Sequence, residues 1–250
     1  MPAGDGRGLS SGRVFAGTSG FAYPDWAPRF YPAGLRGDGL LRHYATRLDA
    51  CELNNTFYAR PKPERIAAWI AAVPDGFRFI VKGQRGATFR ALFADPVDAL
   101  AWLTEPLPGF GAKLGGVLFR LDVRTVRNDE RLAAMLHAWP PTIPLVVEAQ
   151  HPSWQVDETF AALREAGAVL CATDLDDLLE PPTIRRTGPF LYLRLRRSSY
   201  TDTELDAWAA RVAPFVADGL DAYVVFRHDQ DGTSALRAEG FPARVAALGD

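Results

Sequence analysis

The chain has 250 residues, 48% of them hydrophobic, and a formal net charge of −2, which suits a globular protein with one sizeable core. So balanced a charge excludes a general nucleic-acid coat or an adhesive for anionic membranes, while leaving room for a local basic pocket. The length fits two small domains or one α/β barrel.

Residues 1–12 are rich in Gly and Ser and lack an apolar stretch. They read as a disordered tail rather than a signal peptide, with one folded domain expected over 13–250. No apolar run approaches membrane-spanning length, so a cytoplasmic protein is expected. Cys51 and Cys171 each sit in a short apolar run far from the other. Buried, reduced thiols are expected there rather than a disulfide. No CxxC or Cys/His zinc spacing occurs, and no cofactor or metal is expected.

After the tail, short β-rich apolar runs recur at 14–17, 50–54, 77–82, 116–121, 145–149, 168–172, 190–196 and 222–227. Between them, apolar residues at three- and four-residue spacing predict helices at 39–48, 63–72, 96–103, 129–138, 156–166, 202–217 and 233–248. Pro63 and Pro96 suit first helical turns, and Asp202 or Thr203 suits a cap. After the sixth strand, residues 174–179 leave room for little more than one turn, so that unit is expected to be irregular. Strands alternating with helices mean right-handed βαβ units and a parallel sheet. Eight units, without a GxGxxG or P-loop, favour a single (β/α)8 TIM barrel over an open doubly wound sheet. The aromatic, proline-rich stretch 21–37 is expected to pack over something rather than to be disordered.

Strands covered on both faces should be almost continuously apolar, and several here are not. Phe77, Phe79 and Val81 alternate with Arg78, Ile80 and Lys82; Leu191, Leu193 and Leu195 alternate with Tyr192, Arg194 and Arg196. The apolar set must face the helices, so the polar set faces the lumen. The same parity turns Arg120 inward, puts Glu52 and Asn54 on one face, and does the same for Val146, Glu148 and Gln150. The lumen is thus expected to hold Glu52 and Glu148 with Lys82, Arg120, Arg194 and Arg227. Unpaired buried charge is costly, so these groups either close into a salt-bridge network or leave excess cations for an anionic ligand. Glu52 and Glu148 are the candidate acid/base pair, and nearby cations favour their ionised forms.

The run Gly17-Thr18-Ser19-Gly20-Phe21-Ala22-Tyr23, with Trp26 and Phe30-Tyr31-Pro32, is followed by Cys51-Glu52-Leu53-Asn54-Asn55-Thr56-Phe57-Tyr58. With Trp69, Phe77-Arg78-Phe79, Lys82, Val147-Glu148, His151, Trp154, Tyr192-Leu193-Arg194 and Tyr200, it resembles the YecE-like family, a domain of unknown function (DUF72). The resemblance implies a TIM barrel and no established reaction. The chain departs from the family pattern at Thr88-Phe89, Arg120, Gln150, Arg196-Arg197 and Arg227-His228, changes that add positive charge and remove histidine.

Candidate ligand contacts are Thr18, Tyr23, Trp26, Asn54, Tyr58, Lys82, Arg120, His151, Trp154, Arg194, Arg196, Tyr200 and Arg227. Aromatics of the first loop could wall a sugar or base, or simply pack against the rim. His151 and His228 could join Glu52, Glu148 and Asp174 around a divalent cation, but the surrounding arginines oppose it. Arg185, Arg186, Arg194, Arg196 and Arg197 form the basic concentration, either a solvated face or a phosphodiester track. Three functions follow: a metal-independent hydrolase or isomerase for a small anionic, possibly sugar-like molecule; a nucleic-acid binder or phosphodiester-processing enzyme; and a non-catalytic ligand sensor. The first is favoured.

Overall fold

The computed structural model, which describes residues 11–249, places a strand at each of the eight apolar runs. In chain order the units are β1 (Val14–Ser19) and α1 (Asp38–Tyr44); β2 (Ala50–Leu53) and α2 (Pro63–Ala71); then β3 (Arg78–Lys82) with α3 (Arg85–Phe93) and α4 (Pro96–Thr104). They continue with β4 (Leu114–Leu121) and α5 (Asp129–Ala138), β5 (Leu145–Ala149) and α6 (Asp157–Glu165), and β6 (Val169–Asp174), which no helix follows. The last are β7 (Phe190–Leu195) with α7 (Asp202–Ala217) and β8 (Asp221–Phe226) with α8 (Thr233–Ala246). All strands pair in parallel with their sequence neighbours, and β8 closes on β1. The single (β/α)8 barrel and the irregular sixth unit are as the sequence predicts.

Three details differ. Helix α3 has no counterpart among the predicted helices, because its buried stripe is Ala87, Thr88, Ala91 and Leu92, too small and mixed to announce an apolar face. Gln84 caps it by accepting from the Ala87 amide at 2.8 Å. The cap of α7 is Thr201, one residue before the expected Asp202 or Thr203, in a reciprocal capping box with Glu204. The tail expected over 1–12 falls mostly outside the described residues, and Gly12 is already docked, its amide donating to the Val216 carbonyl at 2.8 Å.

Strand parity builds two cores. Outward residues such as Phe79, Val147, Leu193 and Val224 pack under the helices. Inward residues Phe15, Ile80, Leu118, Val146, Tyr192 and Tyr223 fill the lumen as a separate apolar plug. Phe15 stacks on Tyr223 at 4.9 Å. With that much of the barrel plugged, the polar inward residues are left to the carboxyl ends of the strands, where barrel enzymes place their sites.

The stretch 21–37 lies against this end. Trp26, Phe30 and Tyr31 are almost wholly buried, and the Trp26 indole N–H donates to the Asp229 carbonyl at 2.9 Å. Gly232 lies beneath it at φ +82°, where a Cβ would come within 3.0 Å of Trp26. The first and eighth loops are therefore one packed unit. Cys51 and Cys171 are buried and unpaired.

Candidate functional site

Register aligns the lumen charges. Arg120 pairs across the ladder with Glu148, Thr173 with Arg194, and Ser19 with Glu52. Arg194, buried to 1%, bridges the two carboxylates. Its Nη1 donates to both oxygens of Glu148 at 2.8 Å, and its Nη2 donates to Glu52 Oε1 at 2.7 Å. The remaining acceptor sites are filled from the same layer: Tyr192 donates to Glu52 Oε2 at 3.0 Å, and Thr173 donates to Glu148 Oε1 at 2.7 Å. Arg120 Nε approaches Glu148 Oε2 at 3.3 Å without hydrogen-bond alignment, while its Nη2 donates to Gln150 at 2.9 Å.

Burial alone would raise the Glu148 carboxyl. The charge and hydrogen bonds of Arg194 outweigh it and hold Glu148 at about 2. At neutral pH it is a fixed anion, clamped on both oxygens, which suits an anchor better than a proton carrier. Glu52, with no exposed surface, is clamped in the same way.

Two cations of the same mouth stand apart. Lys82 and Arg196 form no ion pair with any carboxylate among the described residues, and neither side chain donates a hydrogen bond to protein there. The Lys82 ammonium lies 4.7 Å from the Phe57 ring centre. Burial lowers Lys82 to about 8, with the charges of Arg194 and Arg120 adding to the effect. Burial likewise lowers Arg196. Tyr23 stacks on His228 at 4.8 Å, 5° from parallel. Burial, and then the neighbouring Arg196 and Arg227, lower the histidine and favour its neutral form. Asn54 donates to the Ser19 carbonyl at 2.8 Å and completes this wall.

The sign of the Lys82 shift gives a stability prediction. Below pH 8 both folded and unfolded lysine are charged, and the folded state bears the full desolvation cost. Between about 8 and the unfolded value of 10.5 the unfolded chain binds more protons, so stability rises with pH. Lys82→Met should therefore be more stable than the parent at pH 7 by about 1 kcal/mol, or roughly 2–4 °C in Tm. Thermal melts across pH 7 to 10 should show that gap closing.

The other predicted contacts separate by burial. Thr18 is enclosed, sharing hydrogen bonds with Tyr44 and the Gly20 carbonyl. Trp26 and Trp154 are buried, the latter donating to the Thr125 carbonyl at 2.7 Å. Tyr200 donates to the buried Asp174 at 2.9 Å. These four shape the loops and do not face the mouth as open ligand contacts. Arg227, expected inside the lumen, is exposed on the rim, 3.8 Å from Asp176, because the strand has ended at Phe226. His151 turns its Nδ1 to Ser153 and caps a short turn. Tyr58 is 78% exposed.

Tyr58 lines a cavity of about 980 Å³ beside the barrel axis, between α3 and the β4–α5 loop. Phe57, Phe89, Phe93 and Arg85 line it too, and Arg120 borders both this cavity and the carboxylate layer. Thr173, Tyr192 and α3 were not among the predicted contacts. The inward parity of Tyr192 was readable, but its partner was not. The arginine run does not make one surface: Arg185 lies over Phe160 at 4.1 Å, Arg194 is in the lumen, and Arg197 binds Asp174 and Glu204. The described residues contain no group of three or more His, Cys, Asp or Glu placed to hold a metal ion, and no helix among them is long and apolar enough to cross a membrane.

Comparison with known proteins fits this geometry. A DUF72 family protein of Thermotoga maritima superimposes with a TM-score of 0.81 at 24% identity, covering 94% of this chain and 99% of that one. A DUF72 family protein of Enterococcus faecalis gives 0.72 at 20% identity, covering 96% and 98%. The UPF0759 protein YecE of Escherichia coli (strain K12) is 25% identical over 135 residues, 52% of this chain. That match spans about half of the relative's own length, 48%. The family model described as "Protein of unknown function DUF72" matches residues 15–249, and the chain belongs to that family.

Proposed function

We propose that the protein binds a small anionic molecule, phosphorylated or carboxylated, at the carboxyl-end mouth of the barrel, and that Lys82, Arg196 and Arg120 receive the anion. One observation carries this reading. Arg194 occupies both buried carboxylates, so Lys82 and Arg196 remain half-buried cations with no ion pair among the described residues. Such groups gain most from an anion that replaces the water they have lost. Tyr23 and His228 offer a flat wall for the rest of the ligand. The dispersal of the arginine run leaves a phosphodiester track without a continuous basic face.

A thermal-shift series with inorganic phosphate, sulfate and small carboxylates tests it. Anions at about a hundred times their dissociation constant should add roughly 2.7 kcal/mol of stability. Phosphate and sulfate also stabilise proteins generally, by exclusion from their surface, so Arg196→Gln is the control. Equal shifts in parent and variant would remove the proposal.

A further inference from the structure

We infer that Lys82 is a carbonyl-reactive amine, and that the anion received at the mouth is an aldehyde or ketone bearing a carboxylate or phosphate, which Lys82 captures as an imine. This rests on the anion-binding reading above and goes beyond it by naming the reacting group and the bond.

The argument begins with composition. Of 28 basic side chains, only Lys62, Lys82 and Lys113 are lysines. A chain that otherwise uses arginine keeps an amine at the end of β3. The difference is chemical: a guanidinium stays protonated and is a poor nucleophile, while an ammonium can lose its proton and form a C–N bond.

The other two lysines have ordinary explanations. Lys113 donates to the Ile70 and Val73 carbonyls at 2.8 Å and stitches a loop. Lys62 is exposed at the start of α2. Among the described residues Lys82 has neither a carbonyl nor a carboxylate to hold it; it faces the lumen at the carboxyl end of its strand, with the Phe57 ring 4.7 Å away.

The surroundings suit the reaction. Glu52 and Glu148 contribute negative charge near the amine but are clamped by Arg194, while burial, Arg194 and Arg120 oppose its protonation. Free base is therefore accessible near neutral pH. Arg120 lies within charge range of both Lys82 and Arg196, and the two arginines would hold the anionic end of a substrate whose carbonyl meets Lys82.

In the capture step the lone pair of neutral Lys82 adds to the carbonyl carbon, and the C=O π pair moves to oxygen, which takes a proton. The nitrogen gives up one proton to leave the neutral carbinolamine; the hydroxyl then leaves as water, taking a second proton, as the nitrogen pair forms C=N, and the iminium gives up its remaining N–H proton. Amine and carbonyl compound become imine and water, without oxidant or reductant.

Borohydride trapping of the full chain tests this. The protein is incubated with pyruvate, 2-oxobutyrate or glycolaldehyde phosphate, reduced with sodium borohydride, digested and mapped by mass spectrometry. The Lys82 peptide should carry the reduced adduct about tenfold or more faster than the Lys62 peptide, and inorganic phosphate should slow that labelling. Lys82→Arg should lose the adduct, because a guanidinium does not form the imine. Should that variant not fold, the phosphate competition on the parent chain decides instead.

Labelling of Lys82 no faster than Lys62 overturns the inference. If these compounds raise Tm in an Arg196-dependent way without trapping, imine formation fails and anion binding survives. Neither trapping nor an Arg196-dependent shift overturns both.

Discussion

Arg194→Ala should lower the unfolding free energy by about 3–5 kcal/mol, because it leaves two buried carboxylates facing each other without their shared cation. In a chain of this size that is a fall in Tm of roughly 10 °C or more. Three charge-assisted hydrogen bonds to Arg194 disappear together, while Tyr192 and Thr173 still donate to the stranded carboxylates. Only Arg120 remains near enough to offset Glu148. Removing all three charges is a different experiment. In Glu52→Leu/Glu148→Leu/Arg194→Met the desolvation cost goes with the attraction, so stability should match the parent's or exceed it by about 1–4 kcal/mol. Chemical denaturation of both variants separates the outcomes, and a triple variant as unstable as the single one would show that packing rather than charge governs this layer. Acid gives a second check. Glu148 is depressed from 4.5 to about 2 in the folded protein, so its contribution is complete above pH 4.5 and lost as pH falls towards 2.

That layer also shows how far the sequence could be read. Alternation along 77–82 and 190–196 places Arg78, Lys82, Tyr192, Arg194 and Arg196 on the lumen side, and the structure agrees strand by strand, because a period of two leaves no freedom once the apolar set must face the helices. Parity gives facing, but not depth along the barrel axis or the choice of partner. Hence parity alone gives a pool of charges, while the structure divides it: Arg194 bridges both carboxylates, Arg120 borders Glu148, and Lys82 and Arg196 form no ion pair among the described residues. The same limit explains Arg227, which continues the inward parity of β8 but lies beyond its end. Aromatic loops fail for another reason. Trp26 and Tyr23 are neighbours in sequence with similar apolar payload, yet Trp26 is wholly buried under Asp229 while Tyr23 stacks on His228. Only the approach of the eighth loop distinguishes them, and that contact spans more than two hundred residues. Helix α3 was silent because small residues suffice where a helix lies close to its neighbours.

Asp174→Ala should cost about 3 kcal/mol and also weaken anion binding at the mouth, although Asp174 itself is sealed from it. The buried carboxylate ends β6 where no helix follows, and it organises the next loop instead. It accepts from Tyr200 at 2.9 Å, from the Trp208 indole at 3.2 Å and from Arg197 Nε at 3.2 Å. Its backbone carbonyl accepts from the Arg196 amide at 3.0 Å, and Tyr200 in turn accepts from the Arg197 amide at 3.2 Å. Arg196 is thus flanked by two fixed points, the strand bond to the Asp174 carbonyl and the loop contact that the Asp174 carboxylate holds through Tyr200. Alanine strands two buried donors and one partly buried cation. Asparagine keeps an acceptor for Tyr200 and loses the charge, so Asp174→Asn should cost about 1 kcal/mol and retain most of the phosphate affinity. Thermal melts give the stability order, and phosphate titrations well below each variant's Tm give the positioning effect. If folded Asp174→Ala binds phosphate as tightly as the parent, Asp174 supports the barrel alone, and Arg196 is placed by its strand without help from the loop.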